Sequence, residues 1–226
     1  MDNFAFLFTI ILKKPISNHE LYSINSIEIP GLKPVEILQP VPLFLSSGVM
    51  AQRGSAFLTV AQGEGWQLGV ANLSYNPDIV RGAFQISKSE TEPKEIGIAI
   101  TRVVDVVNKL NLGKDLLFHE ISINKTLEKR PINKNKLKGE KLKTLQNPIR
   151  FGLRIFEGEI DTKDIRSIPW KEVRIEPSIQ NPQNSIVFFV YRRGSKINQD
   201  DLDNVLADID LLVQKYTTKA ERREGE

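Results

Sequence analysis

The chain has 226 residues, of which 40% are hydrophobic and 26% charged, a net charge of +3 and no cysteine. These values argue against wholesale disorder and exclude disulfides, thiolate nucleophiles and cysteine-ligated zinc. The length suffices for one large core or two small ones, and so small a net charge creates no whole-molecule field for steering nucleic acid.

Phe4 to Leu12 (FAFLFTIIL) is the first element. Asp2 and Asn3 precede it where a signal peptide would carry basic residues, and Lys13-Lys14-Pro15 follow where a cleavage site would stand. The run is too short to cross a bilayer as a helix. It is predicted as a buried β-strand, rich in Phe and Ile. With no other candidate membrane span, the chain is expected in the cytoplasm and off the membrane.

Residues 16–48 contain prolines at 30, 34, 40 and 42, which predict extended segments and loops in place of helices, with short strands at 27–29 and 35–38. Residues 55–73 predict a hairpin turning at Gly63-Glu64-Gly65. After a turn at Asn76-Pro77-Asp78, residues 79–87 predict a third strand. Val80, Gly82, Phe84 and Ile86 lie on its apolar face, and Ile79, Arg81, Ala83, Gln85 and Ser87 on the other.

A helix is predicted next, with Thr91 as N-cap, Pro93 in the first turn and Gly113 as the stop. Ile96, Ile100, Val103, Val107 and Leu110 form one stripe at helical period. A strand over 116–123 follows, in which His119 alternates with Leu117, Ile121 and Ile123.

Residues 125–146 differ in kind. They carry eight Lys or Arg against two Glu, a local charge of +6, and predict a solvated loop or hinge. Beyond it, residues 149–160 alternate as a strand, with Phe151, Leu153 and Ile155 opposite Arg150, Gly152, Arg154 and Phe156. KEVRIEPSI and SIVFFVYRR predict two more strands about a turn at 180–184. The last helix starts near Asn198, with Leu202, Val205, Leu206, Ile209, Leu212, Val213 and Tyr216 on its buried face.

These elements predict an α+β fold with mixed or antiparallel sheet and two principal helices, the order strands-then-helix occurring twice. The expected units are 1–124 and 149–216, joined by the basic stretch 125–148 and followed by a frayed tail, 217–226. One continuous sheet with both helices on one face satisfies the same pattern.

No catalytic constellation stands out. His19 and His119 lack partners at metal-ligand spacing. The aspartates of the last helix mostly point to different sides, and helix-dipole complementarity explains them. Gly63-Glu64-Gly65 precedes a strand, whereas a phosphate loop must open a helix. No metal site and no cofactor are expected.

The basic segment alone has a functional pull. Lys125, Lys129, Arg130, Lys134, Lys136, Lys138, Lys141 and Lys143 are suited to phosphate contact through counterion release, and Arg150 and Arg154 extend the set into the next strand. Against this, the segment has no aromatic residue on which a base could stack. Solubility alone would also select a lysine-rich loop.

The strand containing Arg150, Gly152, Leu153 and Arg154, followed by a C-terminal helix rich in leucine and acidic residues from Asp200, resembles a sporadically distributed prokaryotic family of uncharacterised proteins of about this size. The likeness covers the last third of the chain, and Ile155-Phe156 depart from the family pattern. It implies no activity. The first expectation is therefore a non-enzymatic binding protein acting on a protein partner or a second copy of itself. The second is a nucleic-acid-binding protein using 125–146, and the third an enzyme without a recognisable motif.

Overall fold

The structure is a computed structural model. It describes residues 4–36, 44–45, 57–76, 79–131, 153–158, 170–178, 180–181, 183–193 and 199–217. In chain order the elements are β1 (Phe4–Leu12), α1 (Asn18–Ile24), β2 (Lys33–Pro34), β3 (Phe44–Leu45), β4 (Leu58–Gly63), β5 (Trp66–Asn76) and β6 (Ile79–Thr91). Then come α2 (Ile96–Lys109), β7 (Leu116–Leu127), β8 (Leu153–Gly158), β9 (Trp170–Pro177), β10 (Ser185–Arg193) and α3 (Gln199–Tyr216). The fold is α+β.

All these strands join one sheet in the order β2-β4-β5-β6-β1-β7-β10-β9-β8, while β3 pairs with β5 off this path. The β3–β5 pair is parallel and every other pair is antiparallel. The most apolar strand, β1, takes the centre; Phe8, Ile10 and Leu12 are fully buried and Ile11 nearly so, while Ala5 and Leu7 on the opposite face are half-buried. Register aligns Leu68, Ile86, Phe8, Ile121 and Tyr191 in one cross-strand row on the inner face. Ile96, Ile100, Val103 and Val107 of α2 and Ile209 and Val213 of α3 enter the same core as this row. Both helices therefore cover one face of one continuous sheet. A smaller cluster of Ile11, Ala83 and Phe118 lies on the opposite face.

The order of pairing repeats. In the first half β4, β5, β6 and β1 lie side by side and α2 follows β6; in the second, β8, β9, β10 and β7 lie side by side and α3 follows β10. Because β1 and β7 are antiparallel neighbours, an approximate two-fold axis normal to the sheet passes between them and relates the halves. The helices agree in detail. Ile96, Ala99, Ile100, Val103, Val106, Val107 and Leu110 match Leu202, Val205, Leu206, Ile209, Leu212, Val213 and Tyr216 at one constant offset along the chain.

Several local expectations are corrected. The segment after β1 contains α1, because Ser17 and Glu20 form a capping box in the proline-free stretch between Pro15 and Pro30. The Ser17 hydroxyl accepts from the Glu20 N–H at 3.2 Å, and the Glu20 carboxylate accepts from the Ser17 N–H at 2.7 Å. In place of a strand at 27–29 there is an isolated bridge between Ile29 and Leu32, and β2 spans Lys33–Pro34; positions 37 and 38 lie outside the described residues. Thr91 does not cap α2: it ends β6 and is fully buried, and a 3-10 turn at Pro93–Glu95 leads into the helix. The helix ends at Lys109, short of Gly113, and the chain leaves it through Asn111, whose φ of 58° takes the left-handed conformation open to asparagine. The β4–β5 turn falls where expected, with positive φ at both Glu64 and Gly65, as a two-residue hairpin turn requires. The expected turn at Pro77-Asp78 and the cap at Asn198 lie outside the described residues.

Candidate functional site

Strand β7 continues through Lys125, Thr126 and Leu127, so the basic stretch begins inside the sheet and not in a loop. Register places Lys125 in a row with Val187, Ile175 and Leu153, across β10, β9 and β8. Three strand spacings separate Lys125 from Leu153, about 14 Å. The end of β7 and the start of β8 therefore lie at the same end of the sheet, although 25 residues of sequence separate Leu127 from Leu153.

Just beyond β7 the turn is tied to the β9–β10 connection. The Lys129 N–H donates to Asn184 Oδ1 at 3.0 Å, with Lys129 at a φ of 50°. Ser185 Oγ donates to the Arg130 carbonyl at 2.6 Å. The Lys129 side chain is exposed and Arg130 is half-buried. Lys134, Lys136, Lys138, Lys141, Lys143 and Arg150 lie outside the described residues.

Arg154 lies one residue past the Lys125 row and so belongs to the opposite, helix-free face. Its row is Arg154, Arg174, Phe188 and Asn124. Two arginines directly opposite each other on neighbouring strands repel. Glu172, one same-face position from Arg174 on β9, offsets this. Its Oε1 accepts from Arg154 Nε at 2.7 Å and lies 3.3 Å from Arg174 Nε. Glu172 is only 5% exposed, while the Arg154 side chain is 68% exposed. The Arg174 guanidinium carbon sits over the Phe188 ring, 4.3 Å from its centroid, and its Nε is buried with no hydrogen-bond partner. Two cations thus share one carboxylate.

A related unit lies further along the same face. Arg192 donates from Nε to Glu120 Oε2 at 3.0 Å, and its guanidinium carbon is 4.7 Å from the Phe118 ring centroid. This unit is neutral and less exposed.

The sequence reading missed Arg174 and Glu172. Their signal was present: in KEVRIEP, Glu172, Arg174 and Glu176 alternate with Val173 and Ile175. His119 is 2% exposed, on the inner face beside Phe8, with ring centroids 6.0 Å apart.

Elsewhere the described residues line further open grooves, of which two stand out. One, of about 1030 Å³, runs between residues 28–34 and the β4–β5 turn. Beside it Glu64 is engaged by Arg102 at 2.9 Å, and a Cβ on Gly31 would collide with that pair. The other, of about 440 Å³, follows α2 and is lined largely by Ile10, Ile100, Val104, Val107 and Leu116. Among the described residues no three His, Asp or Glu side chains converge as metal ligands, and no helix is long and apolar enough to cross a membrane.

Displaced pKa values accompany ion pairs outside the arginine face, those of Lys14, Glu20 and Glu95 among them. The Lys14 ammonium is raised, chiefly by its hydrogen bond to Asp115. Partial burial pushes the Glu20 carboxyl up, but hydrogen bonds from Ser17 and the nearby Lys14 outweigh it and bring it down. The Glu95 carboxyl is lowered, chiefly by its hydrogen bond from Lys88.

Comparison with known families, characterised proteins and solved structures finds no match to this chain.

Proposed function

We propose that this chain is a non-enzymatic binding protein whose ligand is nucleic acid, held through its phosphates at the sheet end where β7 finishes and β8 begins. One observation carries this reading. Strand order brings Arg154 and Arg174 to the end that also holds Lys125, Lys129 and Arg130. The lysines from 134 to 143, with Arg150, are strung between these two anchored points of the chain. Cations gathered from distant parts of a sequence make a phosphate footprint that a solvated loop alone would not.

The test is fluorescence anisotropy of the full chain with a labelled DNA oligonucleotide at ~50 mM and ~200 mM salt. Binding is expected at the lower salt, falling by roughly a thousandfold at the higher if about six phosphates are contacted. Replacing Lys129 and Arg130 with Ala should flatten the salt slope by about two contacts. A chain that purifies free of nucleic acid and shows no binding at ~50 mM salt overturns the reading.

A second reading has its own observation. Strand β8 ends the sheet, with β9 as its one neighbour among the described residues. A strand edge is a template for a protein partner or a second copy. Light scattering across a concentration series distinguishes them: a constant monomer mass excludes the second copy.

A further inference from the structure

Resting on the nucleic-acid reading, we infer that the ligand is single-stranded and that its bases stack on the helix-free face formed by Arg154, Arg174 and Phe188. The basic segment has no aromatic residue, and this face supplies the missing stacking surface. The Arg174 guanidinium is held over the Phe188 ring and its side chain is 27% exposed, and the far side of its plane is the surface on which a base would lie. A base that has left its stack can lie on such a plane, whereas a duplex offers only base edges and phosphates.

The charge is suited to the same occupant. Arg154 and Arg174 face each other across β8 and β9 with only Glu172 between them, and Arg174 Nε is buried without a hydrogen-bond partner. A phosphate at Arg154, which has the most exposed side chain of the cluster, would neutralise the surplus cation. No described helix lies on this face to enter a major groove. Glu172 acts as a positioning residue, fixing both guanidiniums from beneath.

The full chain is titrated by anisotropy with a labelled single strand of about 16 nucleotides and with the same strand annealed to its complement. Each is prepared as DNA and as RNA. In at least one of these chemistries the single strand is expected to bind about tenfold more tightly than the duplex. Arg174→Lys keeps the charge and loses the plane, so it should weaken single-strand binding about tenfold, as should Arg174→Ala, and weaken duplex binding by a smaller factor. Arg154→Ala, at an exposed position, should weaken both forms several-fold. Equal affinity for single strand and duplex in both chemistries, or full single-strand affinity in Arg174→Lys, would overturn this inference alone. Failure of both forms to bind would overturn the nucleic-acid reading with it.

Discussion

The two halves of the sheet share a strand order and differ in what they show on the helix-free face. In the first half, the rows through β1, β6 and β5 present Leu7, Ser87 and Gln67, then Thr9, Gln85 and Gly69, none of them charged, while Arg81 of β6, opposite Leu73, adds a charge to the same face. In the second half, the equivalent surface of β7, β10, β9 and β8 presents Glu120, Arg192, Glu172, Arg174 and Arg154. The helix-bearing faces, by contrast, match in apolar pattern. Core packing constrains both halves alike, so the halves are free to differ on the other face, where the proposed ligand site lies.

The halves also differ in how they are held. The first is stitched by buried polar contacts: Asn72 accepts from the Ile16 N–H at 2.7 Å and donates to the Ile16 carbonyl at 2.9 Å. It also holds the Arg102–Glu64 pair beneath Gly31. Variants in the first half should therefore change stability and leave nucleic-acid binding intact, while Arg154→Ala should do the reverse.

The largest effect is expected at the seam. Phe8 is fully buried in β1 between the halves, and Phe8→Ala should cost about 3–5 kcal/mol in denaturant unfolding. If the β1–β7 pairing couples the halves, one transition shifts as a whole; two separate transitions would break the comparison. Asn72→Ala leaves the buried polar groups of Ile16 unpaired and should cost about 2–3 kcal/mol, read from the unfolding midpoint. Gly31 has a φ of 75°, so Gly31→Ala combines backbone strain with a collision against Arg102 and should cost about 2 kcal/mol. A cost near zero at either position would show that the stitching is incidental.

The smallest effect is electrostatic. The Glu95 carboxyl titrates below its ordinary value of 4.5 because Lys88 donates to it. Its contribution is complete above that ordinary value and is lost as pH falls through the lowered one. Glu95→Gln should remove under about 1 kcal/mol at neutral pH and flatten the acid side of the stability profile. An unchanged acid limb would remove the pair from the account.

Local periodicity made much of the secondary structure legible. Helices α2 and α3 follow their apolar stripes, and the period-two pattern of β6 assigns Phe84 and Ile86 to the main core and Ala83 to the small cluster on the opposite face. Helix α1 was equally legible in Ser17 and Glu20 but was obscured by the prolines that follow it. The candidate site was legible only in pieces. Arg154 belongs to it; Lys125 shares its end of the sheet but lies in a row on the other face. Arg174 and Glu172 gave only an alternation that fixed their side of the strand and not their neighbours.

What the amino-acid sequence determined by itself was the type and place of most elements and which residues of each share a face, because 3.6- and 2-residue periods are local properties of the backbone. Only the tertiary structure decided that β1 lies between β6 and β7, that the two halves form one sheet, and that Arg154 faces Arg174 above Glu172. Strand pairing joins residues far apart in the chain, and its register depends on the whole core they bury together, which no local window contains.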